Sequence, residues 1–270
     1  MNITKKQIKL PKRTKKSHKG DNGKVLIIGG SRDYTGAVAL AGLAALRSGV
    51  DWITIAAPEK VGYAINALSP DLVVKKYKGD DFCASRAKDI LKLEKDFDAV
   101  LIGNGIGMHT KTFVNKYIRN TKKPLVIDAD AIKHIKLQDV KNAILTPHKG
   151  EFKTLLKNSK LNEKNFRKNL KNNIILLKGP VDQIITSSKI YYNKTGNQGM
   201  TKAGTGDVLA GLCVGFLGQG LSLLQSAINA AYFNGLAGDI LLKKKQGFTY
   251  LASDLVDEIK RICSKKPKSI

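Results

Sequence analysis

The sequence predicts an α/β fold, with a mostly parallel central sheet covered by helices on both faces. Three observations predict it. Short apolar runs alternate with longer helical stretches, the pattern of strands joined by crossover helices. Several of those runs, such as Val25-Leu-Ile-Ile and Ala99-Val-Leu-Ile, are apolar at every position, as strands buried on both faces are. Glycine turns follow them directly, at Gly29-Gly30 and at Gly103-Asn104-Gly105-Ile106-Gly107.

The elements follow in order. Lys24 to Ile28 reads as a buried strand running into Gly29-Gly30, and Ala37 to Arg47 as a small-residue helix after the loop Ser31 to Gly36. Five residues separate Gly30 from Gly36, and alanine follows instead of lysine, so this is not a Walker A loop. Trp52 to Ala57 is a second strand, and Pro58 opens the next helix. Leu72-Val-Val is a short third strand. Ser85 to Lys95 is an amphipathic helix with Ile90, Leu91 and Leu93 on its apolar face. Leu125-Val-Ile ends in Asp128 and Asp130. Open parallel sheets bind ligands at that edge, which places Asp128 near a substrate or a hydrated metal. Asp130 equally suits a helix N-cap. Ala143-Ile-Leu is a strand ending at Thr146-Pro147-His148. A helix over Asn162 to Lys171 and a strand over Ile174 to Leu177 come next. Ser187-Ser188-Lys189 then turns a hairpin. Leu221 to Leu242, apolar nearly all round, is a buried helix, and Leu251 to Cys263 closes the fold. With no repeat or linker, residues 1–270 read as one domain. Residues 1–20 form a basic arm or surface helix, and 264–270, with Lys265, Lys266 and Lys268, a frayed tail.

Composition narrows the function classes. A net charge of +25 raises the question of nucleic acid, but the lysines are scattered and no RNA-binding aromatic signature or paired zinc-ligand spacing accompanies them. Salt-sensitive sticking is expected on charge alone, and specific nucleic-acid binding is not. No apolar run is long enough for a membrane span, and the first residues lack a signal-peptide core. Cys83, Cys213 and Cys263 are too far apart and odd in number to make a disulfide framework. The cytoplasm is the expected compartment.

The chemistry is expected in Lys194 to Gly211, KTGNQGMTKAGTGDVLAG. Gly204-Thr205-Gly206-Asp207 stands immediately before an apolar helical run. Glycines admit close backbone approach, and the first amides of a helix lack partners and carry the positive end of its dipole. The turn therefore suits a phosphoryl group. A carboxylate is not needed to bind phosphate. Asp207 fits there as a base that takes a proton from a hydroxyl attacking the phosphoryl group, or else simply as a first-turn helix acid.

The blocks Asn197-x-Gly199-Met200-x-x-x-Gly204-Thr205-Gly206-Asp207-Val208-Leu209-Ala210-Gly211, Thr146-Pro147-His148-Lys149-Gly150-Glu151-Phe152, Gly103-x-Gly105-x-Gly107 and Lys178-Gly179 occur in one order over residues 20 to 262. Together they resemble the ADP-dependent NAD(P)H-hydrate dehydratases of the ribokinase-like superfamily. The resemblance implies repair of NADHX or NADPHX using ADP, with ATP as the alternative nucleotide, and Mg²⁺, in a homo-oligomer. It implies Asp207 as catalytic base and Gly204, Thr205 and Gly206 as the anion hole. It places Gly36, Ala37, Gly105, Gly107, His148 and Asp207 at the dinucleotide substrate, and Lys178, Gly179, Pro180, Val181, Asp182 and Gly206 at the nucleotide. Glu151 is implied as a water-mediated Mg²⁺ contact. The family usually has proline at the position of Asn104. A small-molecule kinase of the hydroxyethylthiazole or pyridoxal type would use the same base and anion hole. A non-catalytic nucleotide or nucleic-acid binder would not need that carboxylate, and Asp207 counts against it.

Overall fold

The computed structural model describes residues 1–263, and the tail expected over 264–270 lies outside them. Strands and helices alternate as β1 (Lys24–Ile28), α1 (Gly36–Ser48), β2 (Trp52–Pro58), α2 (Glu59–Leu68), β3 (Val73–Tyr77), α3 (Arg86–Leu93), β4 (Ala99–Ile102), α4 (Lys111–Asn120), β5 (Leu125–Ile127), α5 (Ala129–His134), β6 (Ala143–Leu145) and α6 (Lys149–Ser159). After them come β7 (Ile174–Leu177), the hairpin β8 (Asp182–Ile185) and β9 (Ile190–Asn193), and three helices, α7 (Thr205–Gly218), α8 (Leu223–Lys244) and α9 (Ala252–Ile262).

The strands make one nine-stranded sheet in the order β3-β2-β1-β4-β5-β6-β7-β8-β9. Every pair from β3 to β7 is parallel, and β8 and β9 add an antiparallel edge. Strand order reverses between β1 and β4, so the loops leaving their carboxyl ends part to opposite sides and open a crevice, where such sheets take ligands. Alternation divides the core into two layers. Val25 and Ile27 of β1 pack under α1, α7 and α8, and Leu26 and Ile28 pack under α3, α4 and α5.

Helix α7 lies directly against α1. A Cβ added at Gly211 would overlap the Ala41 carbonyl oxygen, and one at Gly215 would overlap the Ser48 hydroxyl. That close approach holds the start of α7 over the crevice. Gly211→Val is expected to destabilise the protein by about 1–3 kcal/mol through overpacking, as read by urea unfolding.

Some local expectations are corrected. No full helix forms over Asn162 to Lys171, only a 3-10 turn at Phe166–Asn169. Asn162 Oδ1 takes the amides of Lys164 and Asn165, and Asn165 Oδ1 takes that of Asn162, so side chains outcompete the helical ladder. Lys171 then turns left-handed at φ 52°. The N-cap position of α5 belongs to Asp128, with Asp130 inside the first turn. Residues 1–20 contain one short 3-10 turn, Lys5–Gln7. Their start lies against β9, where Ile3 N–H donates to Tyr192 O at 2.8 Å, and Lys9 is bonded to Asn229 of α8.

Candidate active site

Three loops meet at the crevice. Gly105 packs on the loop after β1 so closely that a Cβ there would stand 2.6 Å from Tyr34 Cβ and 3.3 Å from Ala37 Cβ. Gly107 lies beside Ser31, and its N–H donates to Asp130 Oδ2 at 3.2 Å. Gly36 has open space where a side chain would be. Four of the six residues expected at the dinucleotide therefore share one wall. That wall can pack this tightly because Gly103, Gly105 and Gly107 all take positive φ, at 125°, 60° and 86°.

The facing wall is the start of α7. Gly204 is left-handed at φ 93° and turns the chain into the helix. Thr205 fastens this turn, its hydroxyl donating to the carbonyls of Met200 at 2.7 Å and Lys202 at 2.9 Å. The first-turn amides of Gly206 and Asp207 have no acceptor within the helix and no side-chain cap. Lys178, at the carboxyl end of β7, reaches the same place: a Cβ on Gly206 would lie 3.4 Å from its Nζ. A free helix start and an ammonium beside a bare glycine can hold a phosphoryl group.

Between the walls lies a charged network that the sequence only partly announces. Asn104 Nδ2 donates to Asp207 Oδ1 at 2.6 Å and to Asp128 Oδ2 at 2.9 Å. Asp128 Oδ1 takes the Thr146 hydroxyl at 2.7 Å and Lys178 Nζ at 3.0 Å. Lys178 Nζ also stands 3.9 Å from Glu151 Oε2. Burial pushes the Asp207 carboxyl up, to about 7, against the Asn104 hydrogen bond, with Asp128 and Glu151 adding to the rise and Lys178 opposing it. Burial works against the charge on Lys178, but Asp128, Glu151 and Asp207 outweigh it, and its pKa is raised. A carboxyl that is half ionised near neutrality is matched to taking and returning a proton.

His148 and Glu151 are also scaffold. His148 Nδ1 accepts from the Gly150 and Glu151 amides at 3.0 and 3.3 Å, and Glu151 Oε2 accepts from His148 N–H at 2.9 Å, a reciprocal cap on α6. The His148 side chain is 58% exposed, so its ring stays reachable while it caps. Glu151 is buried beside Lys178. Among the described residues no three acids, histidines or cysteines cluster to hold a metal. A single carboxylate oxygen donor still fits Mg²⁺, which keeps several waters and takes its other ligands from phosphates. Gly179, Pro180 and Val181 lie at the turn into β8. Asp182 is turned inward, its Oδ1 taking the Gly179 amide at 3.1 Å and its Oδ2 the Asn193 side chain at 3.2 Å.

The lead-in Asn197-x-Gly199-Met200 anchors the loop before α7. Tyr250 O–H donates to Asn197 Oδ1 at 2.6 Å, and Asn197 Nδ2 donates to Asp239 of α8 at 3.2 Å. Sequence reasoning missed Asn104 as a participant. The available signal was an amide side chain, between two glycines, on a turn leaving a fully buried strand.

A family profile described as NAD(P)H-hydrate dehydratase matches residues 25–261. The chain belongs to the NAD(P)H-hydrate dehydratase family. It is 41% identical over 270 residues to the bifunctional NAD(P)H-hydrate repair enzyme Nnr of Methanothermobacter thermautotrophicus, covering 93% of this chain and 52% of that protein. It spans about half the length of the bifunctional relatives it matches. The ADP-dependent (S)-NAD(P)H-hydrate dehydratase of Nitrosopumilus maritimus is 35% identical over 94% of this chain and 92% of its own length. The crystal structure of the Bacillus subtilis ADP/ATP-dependent NAD(P)H-hydrate dehydratase, co-crystallised with ATP/Mg²⁺, superposes with a TM-score of 0.80 at 29% identity, covering 96% of this chain and 95% of that one. A hydroxyethylthiazole kinase from Pyrococcus horikoshii shares the fold at a TM-score of 0.61 and 16% identity. Family membership and the ribokinase-like architecture thus agree with the alternating strand–helix pattern. Among the described residues no helix is long and apolar enough to cross a membrane.

Proposed function

We propose that this chain converts hydrated NADH or NADPH back to the reduced dinucleotide at the expense of ADP, giving AMP and phosphate. One observation carries the reading: Asp207, with its pKa near neutrality, sits in the same helical turn as the free amide of Gly206 and beside the Lys178 ammonium. A base and a phosphate site in one turn serve phosphoryl transfer to a hydroxyl.

Asp207 takes the proton of the ring hydroxyl as that oxygen attacks the terminal phosphoryl group of ADP and AMP leaves. The Gly206 amide and the Lys178 ammonium hold the negative charge that develops. The new phosphate ester then departs as phosphate, its C–O electrons leaving with it as the ring-nitrogen lone pair forms an iminium ion, and loss of a proton from the adjacent ring carbon restores the dihydronicotinamide. Glu151 would hold Mg²⁺ through water, and the ion would supply charge neutralisation at the nucleotide phosphates. The wall of Gly36, Ala37, Gly105 and Gly107 takes the dinucleotide, with His148 at its rim, and the turn Gly179 to Asp182 lies along the nucleotide. The basic surface gathers both anions. The expected assembly is a homo-oligomer.

The test is regeneration of reduced nicotinamide absorbance from enzymatically hydrated NADH, with Mg²⁺ and either ADP, ATP or no nucleotide. ADP-dependent recovery is expected. No recovery with any nucleotide, from folded protein that binds ADP, overturns the reading in favour of a small-molecule kinase. Because the base works deprotonated, kcat is expected to rise with pH through about 7 and then level off. A flat profile from pH 5 to 8 in single-turnover measurements would remove Asp207 from that role. Gly206→Val places a side chain beside Lys178 Nζ, where the phosphoryl group is to lie. ADP affinity in that variant is expected to fall by about tenfold or more, read by calorimetry.

A further inference from the structure

We infer that Asn104 is a positioning residue for this reaction: its side-chain amide, bonded to Asp207 and Asp128 at once, holds the base with one oxygen fixed and the other free to take the substrate proton. The inference rests on the dehydratase reading above.

The amide nitrogen is the point the two carboxylates share. Its two protons go one to Asp207 Oδ1 at 2.6 Å and one to Asp128 Oδ2 at 2.9 Å. The orientation is forced, because turned over, the amide oxygen would face two carboxylates. The consequence is visible: Asn104 is fully buried and its Oδ1 has no hydrogen-bond partner. A buried polar group with an unmet acceptor is normally selected against. Here both donors are spent on carboxylates, and the acceptor is left over. The backbone makes the placement rigid. Asn104 O accepts from Gly30 N–H at 2.9 Å, tying this turn to the loop after β1. A side chain that sits on the dinucleotide wall therefore aims a base that sits on the nucleotide wall.

The second carboxylate explains why an amide is needed. Asp128 and Glu151 face Asp207 as like charges, and Lys178 is the opposing cation. Lys178 is already committed to Asp128 at 3.0 Å, so the direct hydrogen bond to Asp207 comes from Asn104. Proline, which the family resemblance leads one to expect at this position, offers no such donor. In this chain the aim and the ionisation of Asp207 depend on a side-chain donor that proline would not supply.

The experiment compares wild type with Asn104→Leu, close in volume but without a donor, and with Asn104→Ala. Both are checked for folding by thermal melting and for nucleotide binding by ADP calorimetry. The expected result is a kcat lower by about 10- to 100-fold, with the ADP Kd and the dinucleotide KM within about threefold, and an acid limb of the kcat profile about one pH unit higher. Normal kcat with an unmoved profile overturns the inference. So does a parallel loss of kcat and ADP affinity, which marks a merely structural residue. In wild type, the Asn104 side-chain amide followed by 15N NMR is expected to titrate together with the Asp207 carboxyl and to lose that titration in Asp207→Asn. Amide shifts that stay flat from pH 5 to 9 overturn the inference whether or not the variants fold. If wild type itself regenerates no reduced nicotinamide, the dehydratase reading fails, and the NMR titration still decides whether Asn104 holds Asp207.

Discussion

Asp207→Asn is expected to lower kcat by about 10²- to 10⁴-fold while leaving ADP affinity within about threefold. The argument is one of division of labour. The groups proposed to bind phosphate are the Gly206 amide and the Lys178 ammonium, and neither is the carboxylate of residue 207. The substituted carboxamide keeps an oxygen acceptor for the Asn104 amide, so the turn is retained and only the proton acceptor is lost. Rapid-quench turnover and ADP calorimetry on the same preparation test it. Loss of both together would make Asp207 a binding residue. The substitution has a second expected effect, on stability. Burial holds the Asp207 carboxyl up, at about 7, well above its ordinary value of 3.8. Between those values the folded protein keeps a proton that the unfolded chain has released, so wild-type stability falls as pH rises across that window. Above 7 the penalty for the buried charge is complete. Asparagine has no charge to bury. The variant is therefore expected to melt higher than wild type at pH 8, with the gap closing toward pH 4, in thermal melts at both values. An active-site base that costs stability is the trade expected of a functional residue.

Gly103→Ala is expected to cost about 2–6 kcal/mol, a large part of a typical domain's stability, and to abolish activity in whatever remains folded. Two penalties act together. Gly103 sits at φ 125°, where a side chain is strained in itself. A Cβ there would also overlap the carbonyl oxygen of Asp128 and press on Ala131. The strand end cannot give way without moving Asp128, and with it Lys178 and Asn104, which are bonded to its two carboxylate oxygens. Denaturant unfolding and the ADP-dependent assay read the two effects separately. A variant that unfolds normally and turns over normally would mean the β4–β5 contact is looser than the structure has it.

Much of this protein follows from local rules. The runs at β1, β2, β4, β5, β6 and β7 are largely apolar because parallel strands are covered on both faces, and that alone implies the layered sheet. The Gly204–Asp207 turn is visible because glycines before an apolar helix leave its first amides open to a phosphoryl group, although the same residues also serve as a plain turn. Expectations failed where side chains compete with the backbone. Asn162 and Asn165 look compatible with a helix in sequence but take up its amides in space. At α5 the cap position fell to Asp128 instead of Asp130, because strand β5 ends one residue before it.

The site itself divides along the same line. Asp207 and Gly206 stood out from their own neighbours in the chain, as a candidate base and a bare amide, whereas Lys178 and Glu151 were implied by the family resemblance. What the chain order could not express is that Asp128 and Asp207, 24 and 103 residues from Asn104, share its one amide nitrogen. That contact exists only because strand order reverses between β1 and β4 and because bare glycines let α7 settle on α1. Residue type determined which chemistry was available. Packing decided which groups feel one another's charge, because electrostatic coupling and burial depend on distances through space that separation along the chain does not set.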